Sequence, residues 1–101
     1  MNTKTQITFK VNGDYYCNFD KESCWNIIRS DETYVFDDPV YFNKNNEKQE
    51  VTLNLEPGKY QLEVKDKWGD GGLHGSIETS DKILLEFDFK EGFQKRYNFE
   101  V

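Results

Sequence analysis

Along most of this chain, apolar and polar residues alternate with a period of two, the spacing of a half-buried β-strand. Ile7, Phe9 and Val11 alternate with Thr8 and Lys10 and predict a first strand. "CWNII" at 24–28 and "TYVF" at 33–36 are rich in aromatic and β-branched residues, and the "RSDE" between them predicts a hairpin turn. Pro39 and an Asn/Lys cluster mark a surface loop around a short strand at 40–42. The clearest signal is "QEVTLNLEPGKYQLEVK". Val51, Leu53 and Leu55 face one way, "EPG" turns, and Tyr60, Leu62 and Val64 face one way again, which predicts a β-hairpin. "GSIET" follows a glycine-rich loop. Then Ile83, Leu85, Phe87 and Phe89 alternate, "KEG" turns, and Tyr97, Phe99 and Val101 close the chain.

No helical stripe of useful length competes. A helix over 20–29 would rest Trp25, Ile27 and Ile28 on one weak turn. About eight short strands with turn signals between them predict an all-β fold, a single antiparallel β-sandwich of jelly-roll-like type over residues 1–101. Its core is expected to contain Ile7, Phe9, Trp25, Ile27, Leu53, Leu55, Leu62, Val64, Leu85, Phe87 and Phe99.

Composition sharpens this. At 101 residues the chain supports one core, and an aromatic content of 16% compensates for a hydrophobic content of only 36%. The net charge of −6 argues against direct nucleic-acid binding, which needs clustered Lys and Arg, and is compatible with cations or basic protein surfaces. No apolar run approaches the ~20 residues of a membrane span. "MNTKTQITFK" lacks the apolar stretch of a signal peptide, so the chain as it stands is expected in the cytosol, or secreted with a leader already removed. Cys17 and Cys24 lack metal-binding CxxC spacing. Two free thiols are expected in a reducing compartment, and a short-loop disulfide only in an oxidising one. Exposed edge strands leave monomer and edge-paired dimer both open.

One stretch stands apart. "DKWGDGGLHG", Asp66 to Gly75, holds four of the seven glycines, one of two tryptophans and the only histidine. Asp66 continues the parity of Tyr60, Leu62 and Val64, so it leaves its strand on the inward side. Asp70 follows inside a glycine turn. Calcium takes six to eight oxygens from carboxylates, carbonyls and water, and aspartates beside glycines supply both kinds. Asp66, Asp70 and the backbone of Gly71 are therefore candidate calcium ligands, with Trp68 expected to pack beneath them. The EF-hand template fails, since Trp68 falls at its third position and Ile77 at its twelfth. Any site needs ligands from other loops. The competing reading is structural: Asp66 caps a turn and the glycines only allow positive φ.

His74 has no second His or Cys near it in sequence for zinc, and no nucleophile–base–orienter set emerges, so an enzyme is not expected. Trp68, His74, Tyr34 and Tyr41 are candidate ligand-binding residues, with Tyr15 and Tyr16 as further exposed aromatics that could meet a carbohydrate or protein surface. The function expected is a non-catalytic binding module, calcium-dependent, for a carbohydrate or protein surface. The alternative is a small acidic inhibitor or immunity-type protein, viral or phage in origin, that binds a basic partner.

The run from Pro57 to Gly71 resembles a Gly-Asp-Gly module of many secreted microbial and algal proteins. Pro57, Gly58 and Tyr60 match its Pro-x-Gly-x-Tyr, and Asp66, Trp68, Gly69, Asp70 and Gly71 match its Asp-x-aromatic-Gly-Asp-Gly. Glu22, Ser23 and Trp25 match an upstream Glu-Thr-Ser-Trp segment, with Cys24 displaced into it, and Gly92-Phe93 resembles the turn before its final strand. The likeness spans about Ile7 to Val101. Gly72 and Leu73 stand where that module commonly has cysteines, and its usual leader and larger neighbours are lacking in the chain as given. The resemblance implies a β-sandwich accessory module and no particular reaction.

Overall fold

The computed structural model describes residues 3–101, apart from the side chain of Asp20. Eight strands follow the alternation: β1 (Thr5–Asn12), β2 (Ser23–Arg29), β3 (Val40–Tyr41), β4 (Lys48–Leu55), β5 (Lys59–Asp66), β6 (Leu73–Glu78), β7 (Ile83–Phe89) and β8 (Gln94–Glu100). They form two antiparallel four-stranded sheets, ordered β4-β1-β6-β7 and β3-β2-β5-β8. The protein is an all-β sandwich. Among the described residues no helix is long and apolar enough to cross a membrane; the region 20–29 holds only one 3-10 turn, Phe19–Lys21, before β2.

Each strand turns one set of alternate side chains inward. Ile7, Phe9 and Val11 of β1 face Trp25 and Ile27 of β2 and Leu62 and Val64 of β5, with Leu73, Ile77, Phe87, Phe89 and Phe99 completing the cluster. The Phe9 ring lies 5.9 Å from Trp25 and 6.0 Å from Phe99, within the range of favourable aromatic pairs. Leu53 and Leu85, expected in the core, are only half-buried at its margin. They belong to β4 and β7, the edges of the first sheet, where one side of each strand has no neighbour.

Two local expectations need correction. The "EPG" turn does not make a hairpin. β4 pairs with β1 along its whole length, Thr5 opposite Leu55 through Asn12 opposite Lys48, while β5 pairs with β2 and β8. The turn is an arch from one sheet to the other, anchored where Gly58 and Val101 exchange backbone hydrogen bonds of 3.1 and 2.9 Å. Alternation reports which face of a strand is buried, not which strand it pairs with. Consecutive strands pair only at β2–β3 and β6–β7; the other connections cross between sheets, as in jelly-roll folds. Second, residues 33–36 do not form a full strand. They bridge β2 at Ile28–Tyr34, and Val35 donates to the Ile27 carbonyl at 2.8 Å. Asn26 then takes both backbone groups of Phe36 with its side-chain amide, and the Phe36 ring meets Trp25 edge-on at 5.8 Å. A side chain that satisfies the backbone replaces the ladder there.

Cys17 and Cys24 are buried free thiols. Cys17 donates to the Lys44 carbonyl at 3.3 Å.

Candidate metal centre

β5 places Leu62 and Val64 in the core, and the next inward position is Asp66. The strand thus delivers a carboxylate to the end of an apolar interior, where only 1% of the residue is exposed. Directly across on β2 sits Ser23, fully buried, and before it Glu22, only 3% exposed. The 3-10 turn sets Glu22: Lys21 takes φ +53, Glu22 N–H donates to the Phe19 carbonyl at 2.9 Å, and its own carbonyl accepts from Lys67 N–H at 2.7 Å. Glu22 and Asp66 are therefore held by adjoining strand ends.

The glycine turn returns Asp70 to the same place. Asp66 Oδ1 accepts from Trp68 N–H at 3.0 Å, and Gly69 N–H donates to the Asp66 carbonyl at 3.3 Å. Gly69, Gly71 and Gly72 follow with φ of +77, +69 and +98, a run that side-chain-bearing residues resist. The loop is then clamped to the β7–β8 connection. Gly92 N–H donates to the Gly69 carbonyl at 2.9 Å, Gly72 N–H to the Phe89 carbonyl at 2.7 Å, and Asp70 bridges Gly92. A side chain at Gly71 would overlap the backbone of Lys90 and Glu91. One at Gly72 would overlap the carboxylate of Asp14, which brings a fourth acid to the rim.

One carboxylate oxygen from each of Glu22, Asp66 and Asp70 lies within 4.8 Å of the others. Two oxygens on opposite sides of a calcium ion at ~2.3–2.6 Å are separated by about that distance, so one ion can reach all three. Both Glu22 oxygens, Asp66 Oδ2 and Ser23 Oγ are buried with no N–H or hydroxyl group hydrogen-bonded to them among the described residues, so the ionised carboxylates are satisfied only by a proton shared within the cluster or by a cation. Buried polar atoms are nearly always paired, so such a group of orphaned acceptors is unusual. Burial, with the neighbouring Asp70 and Asp66 carboxylates second, pushes Glu22 up to about 8. Burial, then Asp70, pushes Asp66 up to about 6. Asp70, exposed, is lowered chiefly by hydrogen bonding from the protonated forms of Asp66 and Glu22. Asp14 is raised by burial and then by Asp70, against a backbone hydrogen bond from Tyr16. The three side chains offer only hard oxygen donors, the kind that suits calcium or magnesium rather than zinc or copper.

Of the residues singled out in sequence, Asp66 and Asp70 meet as expected, and Gly71 packs against the β7–β8 connection. Trp68 does not pack beneath them. It is 54% exposed, with Lys67 Nζ 5.5 Å from its ring centre. The core end is already filled by Asp66, Ser23 and Glu22, so the indole is turned outward. His74 is exposed on β6, opposite Asn12 and Asp88, apart from this cluster. Tyr34 and Tyr41 lie on the outer face of the second sheet; the Tyr34 hydroxyl donates to Glu63 at 2.9 Å, and Tyr41 pairs opposite Cys24. Glu22, Ser23 and Asp14 were not singled out as ligands. No local pattern marks Glu22; it is out of phase with the inward Trp25 and Ile27, and only the β2–β5 register brings it to Asp66.

No protein-family model matches the chain, and neither a curated protein nor a solved structure matches it.

Proposed function

We propose that this protein is a non-catalytic β-sandwich binding module whose glycine-loop end is a calcium centre and the edge that meets its partner, a carbohydrate or protein surface. The observation that carries this reading is the convergence of Glu22, Asp66 and Asp70 with buried oxygens that lack donors among the described residues. A divalent cation supplies the missing counter-charge and joins three separate segments. Asp66, Gly69, Asp70 and Gly71 also carry the resemblance to the Gly-Asp-Gly module, which fits an accessory rather than a catalytic role.

Thermal melts with millimolar calcium and with EDTA test it. Calcium at a hundredfold excess over its dissociation constant is expected to stabilise the fold by about 2.7 kcal/mol. The shift should disappear in Asp66→Asn. Identical midpoints in calcium and EDTA would leave the loop as a turn only.

A further inference from the structure

Five of the seven exposed aromatics among the described residues stand close to the acids; Tyr34 and Tyr41 lie apart, on the outer face of the second sheet. Tyr15 and Tyr16 follow Asp14, with ring centres 4.8 Å apart. Phe19 precedes Glu22 and is tied to it through the backbone. Trp68 lies between Asp66 and Asp70. Phe93 accepts from Asp66 N–H through its carbonyl at 2.9 Å, and its ring fills the space a side chain at Gly69 would need. All five are among the large apolar side chains left exposed, Phe93 at 68%. Each acid of the cluster thus has an exposed ring within four residues of it. Glu22 and Asp66 are buried, whereas Asp70 is exposed, so an ion held by the three is shielded on the core side and open on the side of Asp70. Calcium completes its shell with water there, and water can be exchanged for ligand oxygens.

Charge decides which oxygens. Glu22, Asp66 and Asp70 carry three negative charges when ionised, and Asp14 stands beside Gly72 as a fourth. One divalent cation leaves that arrangement negative, on a chain whose net charge is −6. A phosphate, sulfate or carboxylate ligand would meet this residual charge, and a neutral diol would not. We infer that the open side of this centre binds a neutral sugar through two vicinal hydroxyls on the calcium, with Trp68 and Phe93 as the aromatic platform for the apolar face of the ring. The inference rests on the calcium reading and names its ligand class. It has a second footing in Glu22, which is 3% exposed, has no N–H or hydroxyl donor on either carboxylate oxygen, and is aimed into the cluster.

The test uses the full chain with methyl α-mannopyranoside, methyl β-galactopyranoside and methyl α-fucopyranoside, each bearing a vicinal cis-diol. Calcium binding is first measured alone by calorimetry, so a failure there counts against the centre itself. Sugar binding is then followed by tryptophan fluorescence; Trp68 is exposed whereas Trp25 is buried in the core, so Trp68 is the reporter. At least one glycoside is expected to bind in calcium and not in EDTA. Phe93→Ala should weaken it roughly three- to tenfold while calcium affinity is retained. Trp68→Ala, followed by calorimetry, should do the same, and Trp68→Tyr should restore most of the loss. With calcium bound, failure of all three glycosides to bind overturns the inference, as does capture of phosphatidylserine vesicles in their place. Sugar binding that persists in EDTA, or is indifferent to both aromatic substitutions, also overturns it.

Discussion

Glu63 and Asp66 are three residues apart on β5, point to opposite faces of one sheet, and are almost equally buried, at 3% and 1% exposure. Their surroundings differ in kind. Glu63 accepts from the Tyr34 hydroxyl at 2.9 Å, from Gln94 Nε2 at 3.2 Å and from Arg96 Nε at 3.1 Å, with Lys65 Nζ 3.6 Å away. Arg96 stands directly across on β8, and Tyr34 is brought over by the irregular 33–36 segment. Asp66 receives one backbone N–H, its second oxygen receives none, and its carboxylate lies among those of Glu22 and Asp70. Burying a carboxylate without partners is costly, and on the outer face the fold meets that cost with donors. At the loop end it gathers more acids instead. The first arrangement is complete as a structural network. The second is complete only with a proton or a cation.

Protonation breaks the comparison most strongly, because two groups act over one window. Glu22 is raised from an ordinary 4.5 to about 8 and Asp66 from 3.8 to about 6. A carboxyl raised on folding holds its proton more tightly in the native state, so its stabilisation is present below its ordinary value and is lost as pH rises through the raised one. Asp31 and Glu78, lowered by hydrogen bonds from Thr33 and Ser76, act in the opposite sense, but only below their ordinary range. Calcium-free protein is therefore expected to be most stable near pH 4–5 and to weaken steadily to about pH 8. Saturating calcium, which displaces those protons, should flatten the decline. Urea unfolding across this range in EDTA and in calcium measures it, and a calcium-free protein that gains stability from pH 5 to 8 would contradict the assignment.

Cutting the frame that both carboxylates share comes next. Leu62 is fully buried between the sheets, and Leu62→Ala should cost roughly 2–5 kcal/mol in chemical denaturation. A loss below about 1 kcal/mol would mean that β5 is not the central strand of this core. Smaller but sharper is a pair of substitutions of opposite sign. Arg96→Ala removes a donor from Glu63 and should destabilise by about 1–2 kcal/mol, the partly exposed guanidinium being screened. Glu22→Gln, measured in EDTA at about pH 9 where Glu22 has lost its proton, should stabilise by a similar amount, because the amide removes a repelling charge and gives Asp66 a donor. Loss of stability in both would erase the difference between the two faces.

How much of this was legible in the sequence follows from what each signal reports. Period-two alternation locates strands and their inward faces, and it placed Phe9, Trp25, Leu62 and Asp66 in the interior. It carries no information on partners, so the Pro57-Gly58 turn could be read as a hairpin although it joins two sheets. The glycines at 69, 71 and 72 announced a demanding backbone, and Asp66 and Asp70 announced their meeting. Glu22 is forty-four residues before Asp66 and reaches it only through the β2–β5 register, a long-range fact with no local pattern. Packing beneath the two acids is the expectation for Trp68 from its place between them in sequence. Its position in a turn whose inner side was already taken by Glu22, Ser23 and Asp66 could be seen only in three dimensions.

Asp70 gives the smallest effect and the most discriminating one. It is exposed, whereas Glu22 and Asp66 are not. In EDTA, Asp70→Asn removes an exposed carboxylate that accepts from Glu22 and Asp66 but also repels them, and a net change of about 1 kcal/mol or less is expected. A purely structural loop would show the same small change with calcium present. A calcium centre behaves differently, because replacing an anionic ligand by a neutral amide lowers the charge that holds the ion. Calcium affinity should then fall on the order of tenfold or more, and the calcium-induced rise in melting temperature should shrink with it. Asp88→Asn, on the β7–β8 side of the molecule but opposite His74 in the ladder, serves as the control, since it removes an exposed acid that belongs to neither carboxylate site. Equal calcium responses in the two variants would make Asp70 one more solvated acid. A loss confined to Asp70→Asn would separate an acid that only trades protons with its buried neighbours from one that closes an ion-binding site.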